Sequence, residues 1–206
     1  MTGIVTQNVN RQSGLIKAAE AGGGAWSFIS KITASADATL SFTSGIDSTY
    51  KQYRFYYVNI HPSHDGKNWD FNVSIDGGSN YNVAKTSTFM QSQNSESGGE
   101  EGLYYKNSFD LGNGTGVQTL AQAVSNNADS SVNGFLELYN PSDTTYVKNF
   151  ISFCTVEGGG GAIPQGNWAY GYINSTSAVD AIQFSFSANN VDTGDIILHG
   201  LKAWVG

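Results

Sequence analysis

Ala181-Ile182-Gln183-Phe184-Ser185-Phe186-Ser187 puts a large apolar side chain at every second position. Side chains of an extended chain alternate between two faces, so Ile182, Phe184 and Phe186 share one face of a strand. The same period of two recurs outward from this stretch. Thr39-Leu40-Ser41-Phe42-Thr43 sets Leu40 and Phe42 on one face. Trp69-Asp70-Phe71-Asn72-Val73-Ser74-Ile75 sets Phe71, Val73 and Ile75 inward, and ends at Asp76-Gly77-Gly78-Ser79, a turn signal. Trp168-Ala169-Tyr170-Gly171-Tyr172-Ile173 carries its aromatics in register. Tyr53-Arg54-Phe55-Tyr56-Tyr57-Val58-Asn59-Ile60 is aromatic on both faces. It reads as a central strand, or as one with a face against another subunit.

Further strands are expected around Ala25–Ala34, Ser131–Tyr139, Tyr146–Val156 and Gly194–Trp204, with weaker ones at Val83–Gln91, Leu103–Tyr105 and Phe109–Leu111. That makes about nine or ten strands with turn signals roughly every 8–12 residues. No segment sustains a 3.6-residue period. Thr119–Val124 alone hints at a helical turn, and it is discounted. Strands without helices between them pair antiparallel. The expectation is an all-β antiparallel β-sandwich or jelly roll over residues 25–206. By fold analogy, the terminal strands holding Trp26 and Trp204 lie side by side in one sheet.

Residues 1–24 read differently. They are polar with scattered aliphatics, Ile4, Val5, Val9, Leu15 and Ile16, and end in Gly22-Gly23-Gly24. The reading is a short flexible N-terminal arm and hinge, with those five residues as partner-binding anchors.

Charged residues are 13% of the 206-residue chain, about half the roughly 25% of an ordinary soluble protein. Apolar residues are 39%, and Ser, Thr, Asn and Gly replace the missing charges. Such residues suit β edges and turns better than solvated helices. The net charge is −7, and no basic face is visible, which argues against nucleic acid as a partner. No apolar run approaches about 18 residues, so no membrane-inserting helix is expected. Met1–Asn10 lacks the pattern of a secretory signal, and synthesis in a cytoplasm is expected. Cys154 is the only cysteine and lies in an apolar run, so it reads as a small buried hydrophobe.

Chemistry is sparse. His61-Pro62-Ser63-His64-Asp65 is the one local cluster that could hold a metal. Zinc sites need three or four ligands on supported elements, so a solvated hairpin loop is expected instead. Asp192-Thr193-Gly194-Asp195 and Asp76-Gly77-Gly78 could lend oxygens to calcium and are better explained as turns. No Gly-x-Ser-x-Gly elbow occurs. Glu137 and Glu157 are the only glutamates at strands, and Glu137 is expected to face solvent or a subunit contact. No catalytic residue, metal or cofactor is assigned, and the chain reads as a binding or structural protein rather than an enzyme. Tyr50, Tyr81, Tyr104, Tyr105, Tyr139 and Tyr146 lie near turns, where tyrosines make contact surfaces for protein or sugar.

Trp26–Ser35 followed by Ala38–Tyr50 resembles modules in virion proteins of tailed, marine-type bacteriophages. So do Tyr57–His61, Ser74-Ile75-Asp76-Gly77-Gly78-Ser79-Asn80-Tyr81, Leu136-Glu137-Leu138-Tyr139-Asn140-Pro141-Ser142 and Gly194–Lys202. The resemblance covers residues 25–206, and its motifs mark strands and turns. It implies a jelly-roll module of a small virion protein on the phage particle surface. The role implied is a capsid decoration or cement protein that binds the major capsid protein through the arm and self-associates, as a homotrimer. The alternative is a tail-associated adhesin, a fibre or receptor-binding domain that meets tail proteins and recognises a host surface glycan.

Overall fold

The computed structural model describes residues 26–158 and 162–202. Thirteen strands follow one another among them: β1 (Trp26–Thr33), β2 (Leu40–Phe42), β3 (Gln52–Pro62), β4 (Lys67–Ser74), β5 (Lys85–Gln93), β6 (Gly102–Tyr105), β7 (Gly112–Gly114), β8 (Gln118–Val124), β9 (Val132–Tyr139), β10 (Lys148–Gly158), β11 (Ile163–Ile173), β12 (Ala181–Phe186) and β13 (Val191–Leu201). A single 3-10 turn, Asn107–Phe109, is the one helical element described.

The architecture corrects the expected sandwich or jelly roll. All the strands belong to one hydrogen-bonded antiparallel sheet. Nine of them run in the order β1-β13-β3-β9-β10-β8-β4-β12-β2 and curl into a near-closed barrel, while β11, β5, β6 and β7 branch from β10. The seam that joins what would otherwise be two layers is short. Gly158 of β10 pairs with Val124 of β8, and Ser125 N–H donates to the Glu157 carbonyl beside it at 3.2 Å. Two glycines permit the close approaches that such curvature needs. A Cβ on Gly134 would strike the Phe153 carbonyl across β9 and β10, and one on Gly194 (φ +117) would strike the Asn59 carbonyl across β13 and β3. Period two cannot separate the architectures, because a strand buries one face in either of them.

Other expectations divide. β3 lies between β13 and β9, as its aromatic pattern suggests. β1 and β13 pair side by side, Trp26 opposite Leu201, with Trp204 outside the described residues. Thr119–Val124 belongs to β8. Ile75, expected inward, falls just past the end of β4 and is exposed.

Rings fill the barrel between β3, β4 and β12. Trp69, Tyr57, Phe55, Phe71 and Phe184 are fully buried. Trp69 stacks on Phe184 at 5.8 Å and meets Tyr57 edge-on at 5.7 Å; Phe71 meets Phe150 of β10 at 5.1 Å. Such pairs add roughly 0.5–1.5 kcal/mol beyond simple burial.

Candidate functional site: an aromatic face on the outside of the sheet

Alternation that sends one face of each strand inward sends the other outward, and on the outside the register aligns large side chains across strands. Ile197 of β13 stands opposite Tyr56 of β3, and Tyr56 opposite Phe135 of β9. Phe135 stands opposite Phe153 of β10, and Phe153 opposite Trp168 of β11. Trp168 stands opposite Met90 of β5, and Met90 opposite Tyr105 of β6. The result is an unbroken apolar row across seven strands. Phe153 and Trp168 touch, ring centres 4.9 Å apart. Cross-strand pairs of this kind also stabilise the sheet.

A second row lies two residues along. It runs from Phe28 and His199 through Arg54, Glu137 and Ile151 to Tyr170 and Thr88. Phe28, Ile151, Tyr170, Tyr172, Leu103 and Tyr105 are among the exposed large apolar side chains of the protein. Two shallow grooves indent this face. One, of about 400 Å³, is lined by Phe135, Phe153, Trp168 and Tyr170. The other, of about 470 Å³, lies among Thr86, Thr88, Asn149, Ile151 and Tyr172.

One ion pair sits within the face. Glu137, expected toward solvent or a subunit, is on the outer side but only 3% exposed. Its carboxylate accepts from Arg54 Nε at 2.5 Å and Gln52 Nε2 at 2.6 Å, and also from Arg54 Nη2 and the Tyr139 hydroxyl. The Arg54 guanidinium lies over the rings of Trp26 and Phe135, 4.5 and 4.8 Å from their centres. Burial, helped by Glu137, pushes the Tyr139 hydroxyl up to about 12. With two Arg54 donors on Oε1, and Gln52 and Tyr139 on Oε2, the carboxylate under its ring-stacked guanidinium is a rigid neutral unit. At the sheet margin Lys31 and Asp195 pair at 3.1 Å.

The polar residues singled out from the sequence gather elsewhere. His61 does not meet His64 and Asp65. Its Nδ1 lies 3.8 Å from Asp192, and its Nε2 lies 3.2 Å from the Asn127 carbonyl. A polar pocket of about 570 Å³ opens there, among Asn59, Asn126, Asp129, Asp192 and Thr193. Bulges in β3 and β13 and a left-handed Asn59 (φ +52) shape it. Among the described residues no three His, Cys, Asp or Glu side chains are grouped as metal ligands. Asp76 instead caps its own turn, accepting from Ser74 and Asn80, and these bonds hold its carboxyl down at about 2. Asp195 accepts from Lys31 and Thr33. Glu157 accepts from Ser130 at 2.6 Å. Burial pushes the Cys154 thiol up to about 12. Ile4, Val5, Val9, Leu15 and Ile16 lie outside the described residues.

Sequence reading missed the face as a unit. Its parts were visible as aromatics on both sides of Tyr53–Ile60 and on alternate positions of Trp168–Tyr172, but their alignment depends on register. No family model, curated protein or solved structure matches the chain.

Proposed function

We propose that this chain is a structural protein of a tailed-phage particle that acts by contact and not by turnover, as a decoration protein on the head surface. The reading rests on the resemblance of residues 25–206 to virion modules. The observation that supports it is the outer apolar row from Ile197 to Tyr105, with Arg54 and Glu137 paired within the face. Aromatics, Met and Arg are the residues enriched where proteins meet, and unpaired charges are depleted there. In this reading Ile4, Val5, Val9, Leu15 and Ile16 tether the protein to the major capsid protein.

A second reading, a tail adhesin for a host glycan, draws on one feature. Trp168, Tyr170 and Tyr172 form a lane along β11, with Thr86 and Thr88 opposite on β5. Rings beside hydroxyls suit a sugar. Quantitative mass spectrometry of purified particles separates the readings. Hundreds of copies per particle are expected. A handful would move the protein to the tail, and none would overturn both. Deleting residues 1–24 is expected to release the protein from heads while circular dichroism stays β-type.

A further inference from the structure

We infer that the outer aromatic face seats a second copy of this chain, the two sheets packed face to face about a two-fold axis. The inference rests on the contact reading above, names the partner, and puts a two-fold pair in place of the homotrimer that the resemblance implied. Three features of the face select that occupant.

The first is charge. The chain carries −7, so two copies repel wherever their charged surfaces approach. On this face Arg54 and Glu137 neutralise each other against the rings of Trp26 and Phe135, and Lys31 and Asp195 do so at its margin. Across the middle of the row two such faces meet without repulsion, and the Asp110 carboxylate, which accepts from the Tyr105 hydroxyl, lies only at its end. A charged partner would find nothing there to complement it.

The second is extent. Seven strands at about 4.8 Å spacing make the row about 29 Å wide, and flanking rows about 6.7 Å away along the strands bring the patch to about 20 Å high. Measured along the curved sheet that is at most about 600 Å² per copy, enough for two together to reach the roughly 1,000 Å² that separates specific interfaces from chance contacts.

The third is chemistry. Ile151, Tyr170 and Tyr172 are each about two-fifths exposed, and Phe28, Leu103 and Tyr105 more than three-fifths. They sit on one face instead of being scattered, and a contiguous patch of this kind marks an interaction surface. An apolar stripe is complementary to itself, as an isologous contact requires.

Sedimentation equilibrium of the full chain tests this. Twice the chain mass is expected at high concentration, dissociating on dilution. Because the faces are neutral and the rest of the chain is acidic, raising salt from about 0.05 to about 0.5 M is expected to leave the pair as tight or tighter. Ile151→Lys and Tyr170→Lys, at half-exposed positions that folding tolerates, each bury an unpaired charge in the contact. Each is expected to weaken association about tenfold or more, with circular dichroism unchanged. As an independent check, Ile151→Cys adds an accessible thiol to a chain whose Cys154 is buried, and its reaction with a bulky maleimide is expected to be slower in the pair than in the diluted monomer. A monomer at all concentrations, a mass of three copies, a pair weakened by salt, or a pair indifferent to both lysine variants overturns the inference. So does a monomer whose Trp168 fluorescence responds to an oligosaccharide, which would hand the face to a glycan. A monomer that still coats phage heads overturns the pairing alone. A pair absent from particles overturns the virion reading alone.

Discussion

Between β3, β4 and β12 the interior is filled by rings; between β5, β10 and β11 carboxamides share it with Phe89, Phe150 and Ala169. In the first region Trp69 meets Tyr57, Phe184 and Phe186 within 6 Å, and each ring brings a large apolar body with at most one polar atom. In the second, Gln91 of β5 stands opposite Asn167 of β11, and Asn167 opposite Cys154 of β10. All three are fully buried, and Gln165 lies two residues on. Among the described residues both polar atoms of Gln91 and of Asn167, and Oε1 of Gln165, have no hydrogen-bond partner. The ring region has such atoms too, Tyr57 Oη and Trp69 Nε1, but each is a small part of its side chain. A buried amide without partners costs roughly 1–3 kcal/mol, whereas a buried ring gains from nearly all its surface. One sheet therefore encloses a region packed with rings and a region that mixes apolar side chains with buried amides.

The largest test strikes the ring region. Trp69→Ala removes the side chain that touches three rings and is expected to destabilise by about 3–5 kcal/mol in urea unfolding. A loss under about 1 kcal/mol would erase the contrast.

Asp70, neighbour to Trp69 on β4, sharpens it with pH. Burial raises its carboxyl from 3.8 to about 7, with Thr119 Oγ1 donating to it at 2.8 Å and opposing the rise. From about pH 4 to about pH 7 the folded chain holds a proton that the unfolded chain has released. Stability contributed by this group is therefore full below about pH 4 and is lost as pH rises to about 7. Asp70→Asn is expected to flatten that decline, by an order of a few kcal/mol. An unchanged pH profile would show that Asp70 titrates normally.

The carboxamide region is expected to answer with the opposite sign. Gln91→Leu with Asn167→Leu keeps shape and removes four unpartnered atoms. The double variant is expected to be neutral or up to about 2 kcal/mol more stable. A clear loss would mean the amides hold the region together.

The smallest effect concerns reactivity. Cys154 sits in the carboxamide row, fully buried with a thiol pushed up to about 12. Native protein is expected to resist alkylation at pH 8 and to react only after denaturation. Rapid labelling of native chain would show that this region opens.

The strands were legible because period two is local. Leu40, Phe42, Phe71, Val73, Ile182 and Phe184 are buried as their alternation requires. β8 was obscure because Gln118–Ala121 buries four residues in a row, which removes the alternation. The polar pocket was half visible: His61 and Asp192 stood out as residues, but bulges on two strands decide that they face each other instead of His64 and Asp195. The outer face was visible only as aromatic strands taken singly.

From its sequence alone this chain is all-β and antiparallel, with apolar alternation for one buried face per strand and too few charges for helical surfaces. Tertiary structure alone decides that the sheet is one curled barrel, that β10 and β8 meet at the single pair Gly158–Val124, and that large apolar side chains from seven strands fall in line. The reason is physical: which side a residue faces follows from its immediate neighbours in the chain, whereas what stands beside it follows from strand order and register, set by contacts between residues far apart in sequence.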